Sequence, residues 1–172
     1  MYTQKEMNKA NDEKKKFLSG YMTGITDFKE YIETILKIKD DNILLLVSVR
    51  DTPGCNFTDE YVDLWKKLGF RCSLKDKHWC GYIGVTDFKE LYFEKVGNIG
   101  ENVEATMDAD AQTHIKILSS PFKAKNTSEI IINGEEYSDN FRGLNMVLYN
   151  EFLRYHHLRN NIRTIHYHLF YK

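Results

Sequence analysis

The sequence predicts an α+β fold, and three observations carry that expectation. Residues 27–39 and 59–68 repeat apolar side chains at helical spacing. Residues 43–49, ILLLVSV, form an almost unbroken apolar run, the pattern of a strand covered on both faces. Residues 130–132 run into Asn133-Gly134, a hairpin-turn pair. After a polar bend at Ser138-Asp139-Asn140, residues 142–149 form a second strand.

Composition bounds what the chain does. Its 172 residues, 42% hydrophobic and 13% aromatic, suffice for the core of one domain. A formal net charge of -1 and a pI near 6.6 leave no global basic field. That argues against nucleic acid and membrane surfaces as partners. Two prolines argue against a proline-rich linker. Cys55, Cys72 and Cys80 are an odd count without a Cys-x-x-Cys pair. This suits free thiols in a reducing compartment better than a disulfide framework, with Cys72–Cys80 the one pairing left open. Residues 1–25 read as a polar tail without the apolar core of a signal peptide, and no stretch approaches the ~20 apolar residues of a membrane span. The expected location is cytoplasmic, or extracellular if the chain is a fragment.

In order, Asp27 and Glu30 resemble an N-cap and its capping box. Phe28, Tyr31, Ile32, Ile35 and Leu36 then share one helix face. The apolar strand ends in Arg50-Asp51-Thr52-Pro53-Gly54, a polar turn suited to receive a ligand group. A second helix turns Tyr61, Leu64, Trp65 and Leu68 inward, with Gly69 as its C-cap. Gly81 and Gly84 bound a short strand at 81–85. Thr-Asp-Phe-Lys-Glu occurs at 26–30 and again at 86–90, and both copies read as helix starts rather than as a duplication. Residues 94–100 read as a glycine-punctuated connection, 103–107 and 114–118 as strands, and 108–111 as an internal boundary. Asn133-Gly134 suits the φ > 0 positions of a type I′ turn, and Gly143 permits a bend or a close backbone approach.

No catalytic constellation emerges. Cys80 beside His78 lacks an orienting Asn or Asp and reads as a buried thiol. Asp51 with Glu60 or Asp63 is a candidate carboxylate pair, but acids at 59–60 more simply favour a helix N-terminus. Gly81-x-x-Gly84 lacks the Lys-Ser/Thr of a phosphate loop. In the tail at 151–172, His166 and His168 with His156 or His157 have ligand chemistry for zinc, copper or nickel. The basic aromatic character of the tail would also suit RNA. Neither reading outweighs an ordinary surface helix or strand. The expectation is a non-enzyme without metal or cofactor.

The residues carry a family resemblance. Residues 122–150, with Ile-Ile-x-Asn-Gly, Tyr137-Ser138 and Arg142-Gly143-Leu144-Asn145-Met146-Val147, resemble the first half of the interleukin-like EMT inducer (ILEI) or PANDER-like domain. Residues 26–84, with a helix, the ILLLVSVRD strand, a helix ending in Leu68-Gly69, and Trp79-Cys80-Gly81-Tyr82-Ile83-Gly84, resemble its second half. In that family the Arg-Gly-x-Asn strand comes first, so this chain presents the halves in reverse, as 26–107 followed by 108–150. A circular permutant, a fragment of a tandem array and a homodimer exchanging halves all fit, with the fragment preferred. The resemblance implies antiparallel sheets packed face to face and flanked by short helices. It also implies a non-catalytic module, binding a glycan or glycoprotein or, alternatively, a protein partner, in glycosyltransferase-associated and other glycan-related proteins. On that reading Arg142, Asn145 and Asp51 bond sugar hydroxyls, while Trp79 or Tyr82 offers a stacking surface. Arg142 and Asn145 could equally be structural, tying a loop to the sheet.

Overall fold

The computed structural model describes residues 28–38, 43–53, 57–150 and 163–167. Strand β1 (Ile43–Asp51) is its centre. Antiparallel neighbours β2 (Cys80–Thr86) and β8 (Gly143–Asn150) flank it, the latter in register over eight positions from Ile43↔Asn150 to Arg50↔Gly143. Strand β3 (Leu91–Ile99) extends the sheet beyond β2, and β9 (Arg163–Tyr167) pairs antiparallel with β8.

The alternation of β1 explains its unbroken apolar run. Ile43, Leu45, Val47 and Val49 join one core with helices α1 (Phe28–Ile38) and α2 (Asp59–Lys67). Leu44 and Leu46 join another with Ile115, Ile117, Ile130 and Ile132. These isoleucines belong to a second layer, β4 (Val103–Asp110), β5 (Thr113–Pro121), β6 (Thr127–Ile132) and the short β7 (Glu135–Glu136). Successive strand residues point to opposite faces, so a strand between two layers must be apolar throughout. Each such side chain contributes about 1.5–3 kcal/mol when fully buried.

On the helical side, Phe28, Tyr31, Ile32 and Ile35 of α1 are buried, as the spacing predicts. The Tyr61 N–H donates to the Thr58 side chain, the N-cap of α2, and Asp59 and Glu60 occupy the first turn. Trp65 stacks on Phe70 with centroids 4.5 Å apart and leans on Tyr82 at 5.7 Å. Tyr82 is wholly buried, and its hydroxyl donates to Glu94 Oε1 at 2.9 Å. A Cβ at Gly84 would stand 2.6 Å from the Phe70 ring, so that glycine serves close packing.

The two layers join where β5 meets β1 in parallel, at Arg50↔Ser120 and Asp51↔Pro121. Here β1 and β2 part, and Ser119 fills the gap. Its hydroxyl accepts from the Tyr82 N–H at 2.9 Å and donates to the Val49 carbonyl at 2.6 Å. Ser48 donates likewise to the Leu118 carbonyl at 2.6 Å. The architecture is therefore α+β and rich in sheet, with all nine described strands in one mixed sheet.

Several expectations change. The second Thr-Asp-Phe-Lys-Glu, at 86–90, is not a helix start but the turn joining β2 to β3. Asp87 Oδ1 accepts from the N–H groups of Lys89 and Glu90 at 2.9 and 2.7 Å. Long-range pairing decides between the two outcomes, because 91–99 pairs antiparallel with β2 whereas 31–38 keeps the helical period. Asp27, the expected cap of α1, lies outside the described residues. Residues 94–100 are not a connection but fall mostly within β3. Residues 108–111, read as a boundary, make the β4–β5 hairpin. Asn133 and Gly134 have φ 52° and 84° and make the expected turn, although the strand it returns is β7 rather than β8. Cys72 and Cys80 are free thiols, so that pairing is absent. The halves at 26–107 and 108–150 share the sheet within one chain through β1 and β8.

Candidate functional site

The strand directions bring four strand ends together. β2 and β8 run antiparallel to β1 and begin where it ends, while β5 runs parallel and ends there too. Asp51, the last residue of β1, adopts φ 72°, and its carbonyl accepts from the Phe122 N–H at 3.2 Å. The hydroxyl of Thr52 accepts from the Trp79 N–H at 3.1 Å. Trp79 has φ 54°, unusual for a bulky residue, and its carbonyl accepts from the Gly100 N–H at 2.9 Å. Gly143, at φ 97°, turns the chain into β8 just after Arg142.

Arg142 meets Asp51 across this junction, Nε to Oδ2 at 2.5 Å. The Asp51 side chain is 6% exposed and that of Arg142 54%. Asp51 Oδ1 is buried without a hydrogen-bond partner. Asp51 therefore positions the arginine, and the guanidinium is the group that faces solvent. Arg50, one residue earlier, donates from Nη1 to the Asn140 carbonyl at 2.5 Å.

At the same strand ends lie four of the five large hydrophobic side chains exposed among the described residues. They are Trp79, Ile99, Phe122 and Phe141, at 39%, 62%, 58% and 42%. Ile99 stands opposite Cys80 in the β2–β3 register. Lys123 Nζ lies over the Trp79 ring, 4.4 Å from its centroid. The rim thus combines aromatic faces with two cationic heads, a setting for stacking and for charge-assisted hydrogen bonds.

Of the sequence-predicted residues, the structure brings Asp51, Trp79 and Arg142 together and leaves two elsewhere. Asn145 is fully buried. Its Oδ1 accepts from the Phe141 N–H at 2.9 Å, and its Nδ2 donates to the Phe141 carbonyl at 2.8 Å, so it ties the loop to the sheet. Tyr82 offers no face to a ligand because its ring belongs to the helical-side core. Burial, then the Glu94 carboxylate, pushes its hydroxyl well above the usual tyrosine range. Asp51 itself is too covered to bond a sugar hydroxyl directly.

Sequence reasoning missed Phe122, Phe141, Lys123 and Ile99. The available signal was a large hydrophobic residue beside a turn: Phe122 between Pro121 and Lys123, and Phe141 before Arg142.

The other candidates disperse. Cys80 is buried, burial pushes its thiol above its ordinary value, and its Sγ lies 3.4 Å from the His78 carbonyl oxygen rather than on the imidazole. Glu60 pairs with Lys29 at 2.6 Å and Asp63 with Lys66 at 3.6 Å, so neither joins Asp51. His156, His157 and His168 lie outside the described residues, and only the backbone of His166 is described, in β9. No described helix is long and apolar enough to cross a membrane.

No family model, curated protein or solved structure matches this chain. Its class rests on its own geometry: a mixed, largely antiparallel sheet in two layers, two short helices on one face, and an aromatic, cationic rim at one end.

Proposed function

We propose that this chain is a non-catalytic recognition module that binds carbohydrate, a permuted relative of the ILEI or PANDER-like domain serving glycan-handling proteins. The observation that carries the proposal is the cluster of exposed groups at one set of strand ends: Trp79, whose N–H donates to Thr52; Phe122, whose N–H donates to the Asp51 carbonyl; Phe141; and the half-exposed Arg142 paired with Asp51. A sugar ring presents an apolar C–H face to an aromatic plane and hydroxyls to a fixed donor, and such sites need only a few convergent polar groups. Sheet strands on one face of β1 and helices on the other support the reading, although the resemblance implies separate antiparallel sheets and the strands form one mixed sheet joined in parallel at β1 and β5. The eight-position pairing of β1 with β8 in one chain is the arrangement a permuted domain would have. The free thiols of Cys72 and Cys80 suit a reducing compartment.

A glycan array followed by titration calorimetry tests the reading. Trp79→Ala and Arg142→Ala should each weaken binding about tenfold, the loss of one good contact. Absence of binding at millimolar sugar, or unchanged affinity in both variants, removes it. A second reading, a protein-interaction surface, draws on Ile99, whose 62% exposure extends the apolar rim beyond the aromatic groups. Loss of a captured partner on Ile99→Lys with sugar binding absent would favour that alternative.

A further inference from the structure

Building on the carbohydrate reading, we infer that the rim selects acidic sugars, such as uronic acids, over neutral ones. The Trp79 platform is already occupied on one face by the Lys123 ammonium. Lys123 is exposed, and its charge meets no carboxylate among the described residues. Arg142 is balanced by Asp51, and Lys123 is the cation that lies against the ring. Glu101, on the neighbouring turn, is engaged by the backbone and side chain of Asn98, each at 2.8 Å. Asp139, exposed on the loop before Arg142, is the acid that would oppose this preference.

A neutral pyranose stacking on the covered face must displace the ammonium and receives nothing in exchange. An acidic pyranose offers a carboxylate to the displaced ammonium, and charge-assisted hydrogen bonds are the stronger kind. Single-stranded nucleic acid also combines stacking bases with anionic groups. The net charge of -1 disfavours it, because such proteins track the backbone with an extended basic groove.

The test compares a short oligogalacturonate with its fully methyl-esterified form by calorimetry, since esterification removes the charge and keeps the rings. The acid should bind about tenfold tighter at low salt, with the advantage shrinking as salt screens the exposed charges. Lys123→Met, checked for folding by circular dichroism, should erase the advantage of acid over ester, and an advantage that persists in this variant overturns the role of Lys123. Equal affinity for acid and ester overturns the acidic preference and leaves the carbohydrate reading standing. Binding of neutral glycans with neither galacturonate form does the same. Failure of every sugar, charged or neutral, removes both. Tighter binding of polyuridylate than of any sugar overturns the inference in favour of nucleic acid.

Discussion

Arg142 Nε sits 2.5 Å from Asp51 Oδ2, tying the residue before β8 to the last residue of β1. The carboxylate is almost covered and the guanidinium half exposed, so the arginine shields a charge that has already left water. Removing it leaves Asp51 uncompensated. A fully buried pair would lose about 3–5 kcal/mol, and solvent around Arg142 reduces this to about 1–2 kcal/mol. Urea unfolding of Arg142→Ala should show that loss, and adding Asp51→Asn should recover most of it. A double variant no more stable than Arg142→Ala would mean that the pair is not coupled.

Asn145→Ala should destabilise the fold by about 2–3 kcal/mol, because the N–H and carbonyl of Phe141 lose their partner at a buried loop anchor. If the side chain instead served a ligand, thermal unfolding would be nearly unchanged and binding alone would fall.

Ser119→Ala tests the join between the layers. Without the hydroxyl, the Tyr82 N–H and the Val49 carbonyl are stranded where β1 and β2 part. The expected cost is about 1–3 kcal/mol. Hydrogen exchange should rise first at Tyr82, and protection there equal to the parent would argue against this role.

Acid stability should depend partly on Asp87. Burial pushes its carboxyl up, but the N–H groups of Glu90 and Lys89 and the Tyr92 hydroxyl outweigh this, so it lies below its ordinary value of 3.8. A depressed folded value gives stability present above the unfolded value and lost as pH falls through the folded one. Asp87→Ala should therefore be less stable near neutrality. Its deficit relative to the parent should narrow below about pH 4. A deficit that stays constant with pH would show that the charge contributes nothing.

The paired copies of Thr-Asp-Phe-Lys-Glu show how far local sequence reaches. One runs into the helix from Phe28 and the other turns between β2 and β3, where Phe88 takes φ 72°. The pentapeptide suits a helix cap and an Asx-type turn equally, since in both the Asp oxygen accepts nearby N–H groups. What separates them is the pairing of the residues after the second copy with β2.

By itself the sequence determined the layers of this protein. The six apolar side chains of β1, on both of its faces, demand cover on each, the 3.6-residue periods supply helices for one, and the alternating isoleucines at 130 and 132 supply sheet for the other. Tertiary structure alone decided the rim. Asp51, Trp79, Phe122 and Arg142 lie far apart in the chain and meet because β1, β2, β5 and β8 bring their ends to one place. It also separated Arg142 from Asn145, three residues on, which turns inward to hold its own loop. Periodicity reports which face a residue takes within its element. Which ends become neighbours depends on long-range strand pairing, which no local pattern encodes.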